Sequence, residues 1–150
     1  QVTDIDIVMV IGCGMIGMGA IVRSALRGAT VIAVDLDDEK LELAKRIGAH
    51  HTINSMTENV HECLTKITEG LGPDVVIEAV GSPATYVMAV NEVGFTGRVV
   101  CIGYANQKVS FQTKYFVQKN LISADHVMHC PQISEQLSAT WNKVLAQKMN

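Results

Sequence analysis

The sequence predicts a doubly wound parallel α/β sheet, with helices on both faces in three layers and residues 1–150 forming one domain. Three observations predict this class. Strand and helix signals alternate along the whole chain, and the strands are continuous apolar runs of the kind buried on both faces. A glycine-rich turn also follows the first strand and opens the first helix. A domain of this length buries about 70% of the surface that its unfolded chain exposes, so its core needs no disulfide or metal.

The predicted strands and helices alternate in order along the sequence. The strands are predicted over 5–11, 30–35, 51–54, 74–80, 97–103 and 120–124. The helices are predicted over 15–27, 37–49, 57–69, 83–93, 113–119 and 133–148. Local signals support two helix ends, since Gly28 provides a C-cap for the first helix and Pro83 suits the first position of the fourth. The last helix is amphipathic, and its apolar face carries Ile133, Leu137, Trp141, Val144 and Leu145.

The glycine-rich turn over 12–17, GCGMIG, matches the pattern G-x-G-x-x-G between a strand and a helix. Gly12 permits the tight turn, Gly14 allows a pyrophosphate to approach the main chain, and Gly17 allows the helix to pack closely on the strand. The first N–H groups of the helix lack helical acceptors, and the helix dipole favours anions there. The turn therefore predicts a dinucleotide-binding site, with Met15 and Ile16 as further candidate contacts; a purely structural turn is the alternative.

An acidic residue ends the second predicted strand. Asp35 lies 18 residues beyond Gly17, where a carboxylate can accept hydrogen bonds from both hydroxyls of an adenosine ribose and would repel a 2′-phosphate. The next residues, Leu36, Asp37 and Asp38, add acids and no arginine. This arrangement predicts NAD rather than NADP as the cofactor.

Several stretches together resemble the cofactor domain of the zinc-dependent medium-chain alcohol dehydrogenases, a group that includes sorbitol- and threonine-type dehydrogenases. The resemblance runs continuously over about 8–120. It rests on the stretches VIGCGMIGMGA, VIAVDLDDEKLELAKRIGA, GPDVVIEAVGS and FTGRVVCIG. Together these stretches are much more specific than the glycine-rich turn alone.

The resemblance implies further cofactor contacts in this chain. Lys40 matches the family lysine that helps the acidic residue, Asp35 here, to hold the adenosine ribose, and Ile16 matches the aliphatic residue that packs on the nicotinamide ring. Two main-chain segments match those that lie along the nicotinamide half of the cofactor. They consist of Ala79, Val80 and Gly81 after the fourth strand and of Ile102, Gly103 and Tyr104 after the fifth.

The resemblance also implies what these residues do not supply. In the family, a GroES-like domain provides the catalytic zinc ligands and the proton relay, and nothing in the 150 residues corresponds to it. We therefore expect no catalytic or metal-binding residue in this chain, and zinc only in a catalytic domain. The segment over 121–150 departs from the family pattern. Family members commonly pair through the outer strand, which predicts a homodimer contact near 120–124.

Composition and charge exclude several classes of partner. The formal net charge of −3 and the scattered basic residues argue against nucleic acid and anionic membrane surfaces as partners. No apolar stretch reaches the roughly 20 residues needed to cross a bilayer, and the N-terminal residues lack the basic region of a signal peptide. The widely spaced Cys13, Cys63, Cys101 and Cys130 indicate reduced thiols. We expect a cytoplasmic location.

Two other patterns offer weaker alternatives. Tyr115 and Lys119 have the Y-x-x-x-K spacing of the catalytic pair in short-chain dehydrogenases, but a packing role for Tyr115 fits the rest of the sequence better. His126, His129 and Cys130 carry zinc-type donors without a distant fourth ligand, so a metal role is disfavoured. The methionines are expected to fill gaps in the core, namely Met9, Met15, Met18, Met88 and Met128.

The leading functional hypothesis is therefore the NAD(H)-binding domain of a zinc-type alcohol or polyol dehydrogenase. In the complete enzyme, hydride would pass between the nicotinamide and an alcohol or carbonyl. A stand-alone NAD(H)-binding sensor or regulatory module is the alternative, and a fragment that folds without binding a ligand is a third. The residues leave the substrate undetermined.

Overall fold

The computed structural model describes residues 2–112 and 114–119. The strands within these residues are Ile7–Ile11 (β1), Thr30–Asp35 (β2), His51–Asn54 (β3), Val75–Glu78 (β4) and Arg98–Cys101 (β5). The helices are Met15–Ala25 (α1), Asp38–Arg46 (α2), Val60–Ile67 (α3), Pro83–Glu92 (α4) and Lys114–Gln118 (α5). All five strands are parallel and form one sheet in the order β3-β2-β1-β4-β5. The predicted fold class is confirmed.

Both faces of the sheet are covered, which produces the three predicted layers. Alternate residues of β1 point to opposite faces, so that Val8 and Val10 join one hydrophobic cluster and Met9 and Ile11 the other. The first cluster includes residues of α1 and α2, and the second includes residues of α3 and α4. Burial on both faces explains why the strands are continuous apolar runs without polar alternation.

Every predicted strand and helix within the described residues is present, but most end earlier than predicted. Strand β4 ends at Glu78 because the N–H groups of Val80 and Gly81 bond to its side chain instead of a neighbouring strand. Strand β5 ends at Cys101 because the next two N–H groups both donate to the carbonyl oxygen of Glu78. Helix α3 begins at Val60, after a turn that uses the carbonyl oxygen of Asn54. The predicted strand over 120–124 and helix over 133–148 lie outside the described residues.

The starts of the four longer helices differ in one respect that bears on function. Side chains cap three of them: Asp37 caps α2, Asn59 caps α3, and Ser82 and Thr85 form a reciprocal capping box on α4. Gly14 is the N-cap residue of α1, and no side chain of the described part of the chain caps this helix. No helix in the described part of the chain is long and apolar enough to span a membrane.

Candidate functional site

The predicted site residues lie at or beyond the ends of four strands, at the carboxyl edge of the sheet. They are Gly12, Gly14, Met15, Ile16 and Gly17 after β1, Asp35 as the last residue of β2, Lys40 in the helix after β2, Ala79, Val80 and Gly81 after β4, and Ile102, Gly103 and Tyr104 after β5. Since neighbouring strands are about 4.8 Å apart, the four strand ends form a row roughly 14 Å long. The row crosses the β1–β4 boundary, where the chain reverses its direction of winding and where sheets of this type bind ligands.

The glycine-rich turn contains two positions that only glycine can occupy. Gly12 has a φ of +95°, and a Cβ atom there would lie 2.6 Å from Cγ2 of Val80. At Gly17 a Cβ atom would lie 1.7 Å from the carbonyl oxygen of Gly12, which brings α1 directly against the end of β1. The turn and the helix therefore have the tight geometry expected from the sequence.

Gly14 differs from these two glycines because the space in front of it is open. A Cβ atom there would meet no other atom within 4 Å, and the residue is exposed. The first helical hydrogen bond of α1 runs from the N–H group of Met18 to the carbonyl oxygen of Gly14, so the preceding N–H groups have no acceptor in the helix. This combination of open space, uncapped N–H groups and the positive end of the helix dipole suits a phosphate group.

Asp35 connects the end of β2 to the glycine-rich turn. Its Oδ2 atom accepts a 2.6 Å hydrogen bond from the N–H group of Cys13, and its Oδ1 atom accepts from the N–H groups of Leu36 and Asp37 at 2.8 and 3.1 Å. An ionised carboxylate offers about four acceptor positions, so about one remains. The half-buried carboxylate is therefore held in a defined orientation beside the turn and can still accept from a ligand.

Cys13 and Lys40 are two further ionisable residues in this part of the site. Burial, with the nearby Asp35 charge as a second cause, raises the pKa of the Cys13 thiol to about 12, so Cys13 remains a neutral thiol at physiological pH. The Lys40 ammonium group lies 3.9 Å from Asp37 Oδ2, and its side chain is half exposed. Lys40 is thus paired with the neighbouring acid, and the described contacts show no ion pair between it and Asp35.

Glu78, which the sequence analysis did not select, joins the two segments after β4 and β5. Its Oε1 atom accepts from the N–H groups of Val80 and Gly81 at 2.9 and 2.8 Å. Its carbonyl oxygen accepts from the N–H groups of Ile102 and Gly103 at 2.8 and 3.0 Å. The side chain is fully buried. The available signal was a charged residue within the apolar run VVIEAV, where a buried carboxylate requires hydrogen-bond donors.

The row of strand ends also carries exposed apolar side chains. Met15 is 90% exposed, and Ile16, Val80, Ile102 and Tyr104 are exposed by 45–61%. The expectation that Met15 fills a gap in the core is therefore wrong, because the first turn of α1 directs this side chain into solvent. Met9 is buried and Met18 and Met88 pack against the two clusters as expected, whereas Met128 lies outside the described residues. The exposed side chains provide an apolar surface beside the phosphate-sized space.

Tyr115 and Lys119 have a structural role. The Lys119 ammonium group donates to the carbonyl oxygen of Val93 at 2.8 Å and also bonds to the carbonyl oxygen of Asn91. It therefore neutralises the C-terminal end of α4, as a cation at a helix C-terminus does. Burial lowers the pKa of Lys119, and the charge of Glu92 partly opposes this shift. The packing role expected for Tyr115 agrees with its place beside Lys119, whose Nζ atom lies 5.9 Å from the ring centre.

Residues 2–112 and 114–119 contain no cluster of three or more histidine, cysteine, aspartate or glutamate side chains that could hold a metal ion. The candidate zinc donors His126, His129 and Cys130 lie outside the described residues. Cys13, Cys63 and Cys101 are free thiols.

The strand order, the glycine-rich turn after β1 and the carboxylate at the end of β2 define a nucleotide-binding α/β domain of the Rossmann class. Comparison with known families gives the narrower assignment. The family model described as "Zinc-binding dehydrogenase" matches residues 16–145, and the chain belongs to this family. The resemblance to the cofactor half of zinc-type alcohol dehydrogenases is confirmed.

Individual relatives agree with this assignment. The chain is 40% identical over 118 residues to D-xylulose reductase from Scheffersomyces stipitis, covering 77% of this chain and 32% of that protein. It is 35% identical over 111 residues to erythritol/L-threitol dehydrogenase from Mycolicibacterium smegmatis, covering 73% of this chain and 31% of the relative. Among solved structures, alcohol dehydrogenase from Thermus sp. ATN1 superposes with a TM-score of 0.74 and 37% identity, covering 77% of this chain and 34% of that one.

The chain spans about a third of the length of these relatives. The family match extends to residue 145 and so includes most of the segment over 121–150, which the sequence analysis described as divergent. The names of these three relatives describe oxidoreductases of erythritol/L-threitol, D-xylulose and alcohol.

Proposed function

We propose that residues 1–150 form a single domain that binds NAD(H) in a zinc-type alcohol or polyol dehydrogenase. The observation that carries the proposal is the open space at Gly14, which lies beside the uncapped N–H groups of α1. Asp35 lies on the β2 side of this space, and the apolar side chains of the β4 and β5 segments lie on the other side. A dinucleotide has matching parts in the same order, since a ribose diol, a diphosphate and a flat ring follow one another along it.

Each part of the row would hold one part of the cofactor. The N–H groups at the start of α1 would bind the diphosphate, and Asp35 would accept a hydrogen bond from the adenosine ribose through its remaining acceptor position. Ile16 and Val80 would pack against the nicotinamide, next to the main chain of Gly81 and Gly103. NAD(H) supplies hydride transfer when bound, and this chain's residues orient it and exclude water from one of its faces.

The charges near the end of β2 favour NAD(H) over NADP(H). Asp35, Asp37, Asp38 and Glu39 lie close together in the chain, and Lys40 is paired with Asp37. A 2′-phosphate carries about two negative charges near neutral pH, so it would be repelled by these carboxylates. We therefore propose NAD(H) as the preferred cofactor.

The remaining parts of the reaction are assigned to residues outside this chain. We propose that a catalytic domain of the complete enzyme holds the zinc ion, the alcohol and the proton relay. These 150 residues are then expected to bind the cofactor without oxidising alcohols, and a homodimer contact near 120–124 stays a prediction. We also propose that residues 1–150 form one domain and that the protein is located in the cytoplasm.

The proposal is tested by titrating the purified chain with NADH and NADPH. We expect saturable NADH binding with at least a roughly tenfold preference over NADPH, equivalent to about 1.4 kcal/mol. A preference for NADPH would contradict the cofactor assignment, and failure to bind either dinucleotide would contradict the function. Turnover of polyols or alcohols by this chain with added zinc would contradict the assignment of catalysis to another domain.

The role of Gly14 can be separated from folding by a Gly14→Ala substitution. The added methyl group meets no protein atom, so we expect the free energy of unfolding to change by less than about 1 kcal/mol. The same methyl group would occupy the space proposed for the diphosphate, so NADH affinity should fall roughly tenfold or more. Gly19→Ala, in equally open space on α1, is the matched control and should leave affinity unchanged. Unaltered NADH affinity in Gly14→Ala would place the diphosphate elsewhere.

A further inference from the structure

We propose that Glu78 is a positioning residue that holds the segments over 79–81 and 102–104 in the arrangement needed to bind the nicotinamide half of the cofactor. This inference rests on the proposed function and assigns a role to a residue that does not itself touch the cofactor. It predicts that Glu78 affects recognition of one end of NADH and leaves the other end unaffected.

The side chain of Glu78 organises the turn between β4 and α4. Three donors converge on Oε1, namely the N–H groups of Val80 and Gly81 and the hydroxyl group of Thr85 at 2.8 Å. Thr85 also belongs to the capping box at the start of α4. One carboxylate oxygen therefore fixes both the path of the turn and the first turn of the following helix. Three hydrogen bonds to one oxygen atom hold the turn and the helix in a fixed arrangement.

The main chain of Glu78 organises the segment after β5. Its carbonyl oxygen accepts from the N–H groups of both Ile102 and Gly103. The Gly103 carbonyl oxygen in turn accepts a 2.6 Å hydrogen bond from the hydroxyl group of Tyr86 on α4. Burial, with Cys101 and Glu78 nearby, raises the pKa of Tyr86 to about 12, so this hydroxyl group stays protonated. Glu78 thus holds the residues after β4 through its side chain and those after β5 through its main-chain carbonyl oxygen, and Tyr86 on α4 adds a second bond to the β5 segment.

The two segments touch each other without intervening side chains. A Cβ atom on Gly103 would lie 2.2 Å from the nitrogen of Gly81 and 2.7 Å from Glu78 Oε2. A Cβ atom on Gly81, whose φ is +82°, would lie 2.5 Å from the nitrogen of Tyr104. Any displacement of the turn after β4 is therefore transmitted directly to the segment after β5. Both segments carry groups proposed to lie against the nicotinamide, namely Val80 in the first and the main chain of Gly103 in the second.

Packing in the hydrophobic core does not explain why residue 78 is a glutamate. The residues paired with Glu78 in the neighbouring strands are Ile11 and Cys101, so an apolar side chain would suit the packing. Glu78 Oε2 has no hydrogen-bond partner in the described part of the chain, although it is buried. Burying a carboxylate with one oxygen unpaired is unfavourable. The chain accepts this cost at a position whose Oε1 atom accepts from the turn beside the site.

The test compares NADH with ADP, which lacks the nicotinamide and its ribose, in two substitutions at Glu78. Glu78→Leu removes the acceptor at similar volume, and Glu78→Gln keeps an oxygen that the three donors can reach. We expect Glu78→Leu to lower NADH affinity roughly tenfold, because several hydrogen bonds to one group are lost, and to lower ADP affinity less than twofold. We expect Glu78→Gln to keep most of the NADH affinity of the unaltered chain. The fluorescence emission of bound NADH reports the surroundings of the reduced ring. It should therefore change more in Glu78→Leu than in Glu78→Gln.

The matched control is Asp6→Asn, at the opposite edge of the sheet. Asp6 is also a nearly buried carboxylate, and its Oδ2 atom accepts from the N–H group of Thr3 and from the guanidinium group of Arg98. The Asp6→Asn substitution should lower the free energy of unfolding without changing the ratio of the NADH and ADP affinities. If Glu78→Leu does not fold, Thr85→Val removes one of the three donors and should lower NADH affinity severalfold, again without affecting ADP.

The outcomes separate this inference from the proposed function. An unaltered chain that binds neither ligand would contradict the function itself. Equal affinities for NADH and ADP in the unaltered chain would overturn the inference, since the two segments would then contribute nothing. Equal losses of NADH and ADP in Glu78→Leu, or no loss of either, would also overturn it, because Glu78 would then have only a general structural role or no role in binding.

Discussion

Substitution of Gly17 by alanine is expected to lower the free energy of unfolding by about 3 kcal/mol or more, or to prevent folding. The new methyl carbon would lie 1.7 Å from the carbonyl oxygen of Gly12 and 2.9 Å from its carbonyl carbon. These are main-chain atoms of the turn after β1, which no side-chain rotation can move. Helix α1 would have to move away from the sheet and expose Ile21 and the cluster around it. Urea denaturation followed by far-ultraviolet circular dichroism measures the change.

The control for this prediction is Gly19→Ala, two residues further along the same helix. Gly19 is exposed, and a Cβ atom there meets nothing within 4 Å. Alanine has a higher helix propensity than glycine, so this variant should gain up to about 1 kcal/mol. Similar stability of the Gly17→Ala and Gly19→Ala variants would show that α1 does not pack on the turn as described.

Substitution of Asp35 by alanine is expected to lower NADH affinity roughly 10- to 100-fold, the effect of losing about 1.5–3 kcal/mol from hydrogen bonds to a charged group. Two causes act together. The ribose loses its acceptor, and the N–H group of Cys13 loses the 2.6 Å bond that holds the turn. Because the carboxylate also repels a 2′-phosphate, NADPH affinity should fall less than NADH affinity. Calorimetric titration with both dinucleotides measures the two effects.

Asp74→Ala provides the matched control for Asp35. The Asp74 carboxylate also accepts a hydrogen bond from a main-chain N–H group, that of Ile7 at 2.7 Å, but at the amino edge of the sheet. Its removal should leave the affinities for NADH and NADPH unchanged. If Asp35→Ala retained full NADH affinity while remaining folded, the ribose would not lie at the end of β2.

The sequence predicted the fold well because its signals are local. Continuous apolar runs such as those of β1 and β2 require a sheet covered on both faces, and the G-x-G-x-x-G spacing requires a strand followed closely by a helix. The position of Asp35 followed from the same unit, since β2 pairs directly with β1. These features depend on residues that are near one another in the chain, so a single sequence contains them.

Features that depend on distant segments were not predicted. The importance of Glu78 arises from the residues after β5, more than 20 positions later, and from the helix that packs beside them. The exposure of Met15 depends on how α1 leaves the turn, which an apolar residue type alone does not indicate. Tyr115 and Lys119 have a catalytic spacing, but the structure places Lys119 against the end of α4. For Glu78 and Lys119, residues distant in the chain determine the role, and for Met15 the direction of the helix does.

The order of strands in the sheet assigns the two ends of the site to different parts of the chain. Strands β1 and β2 build the end that contains Asp35, whereas β4 and β5 build the end that Glu78 organises. Within residues 2–112 and 114–119 the two carboxylates share no hydrogen-bond partner, so we expect changes at one end to add to changes at the other. If the cofactor binds as proposed, substitutions near the end of β2 would change nucleotide preference while the end proposed for the nicotinamide keeps its shape, so one such domain would suit dehydrogenases of different cofactor preference.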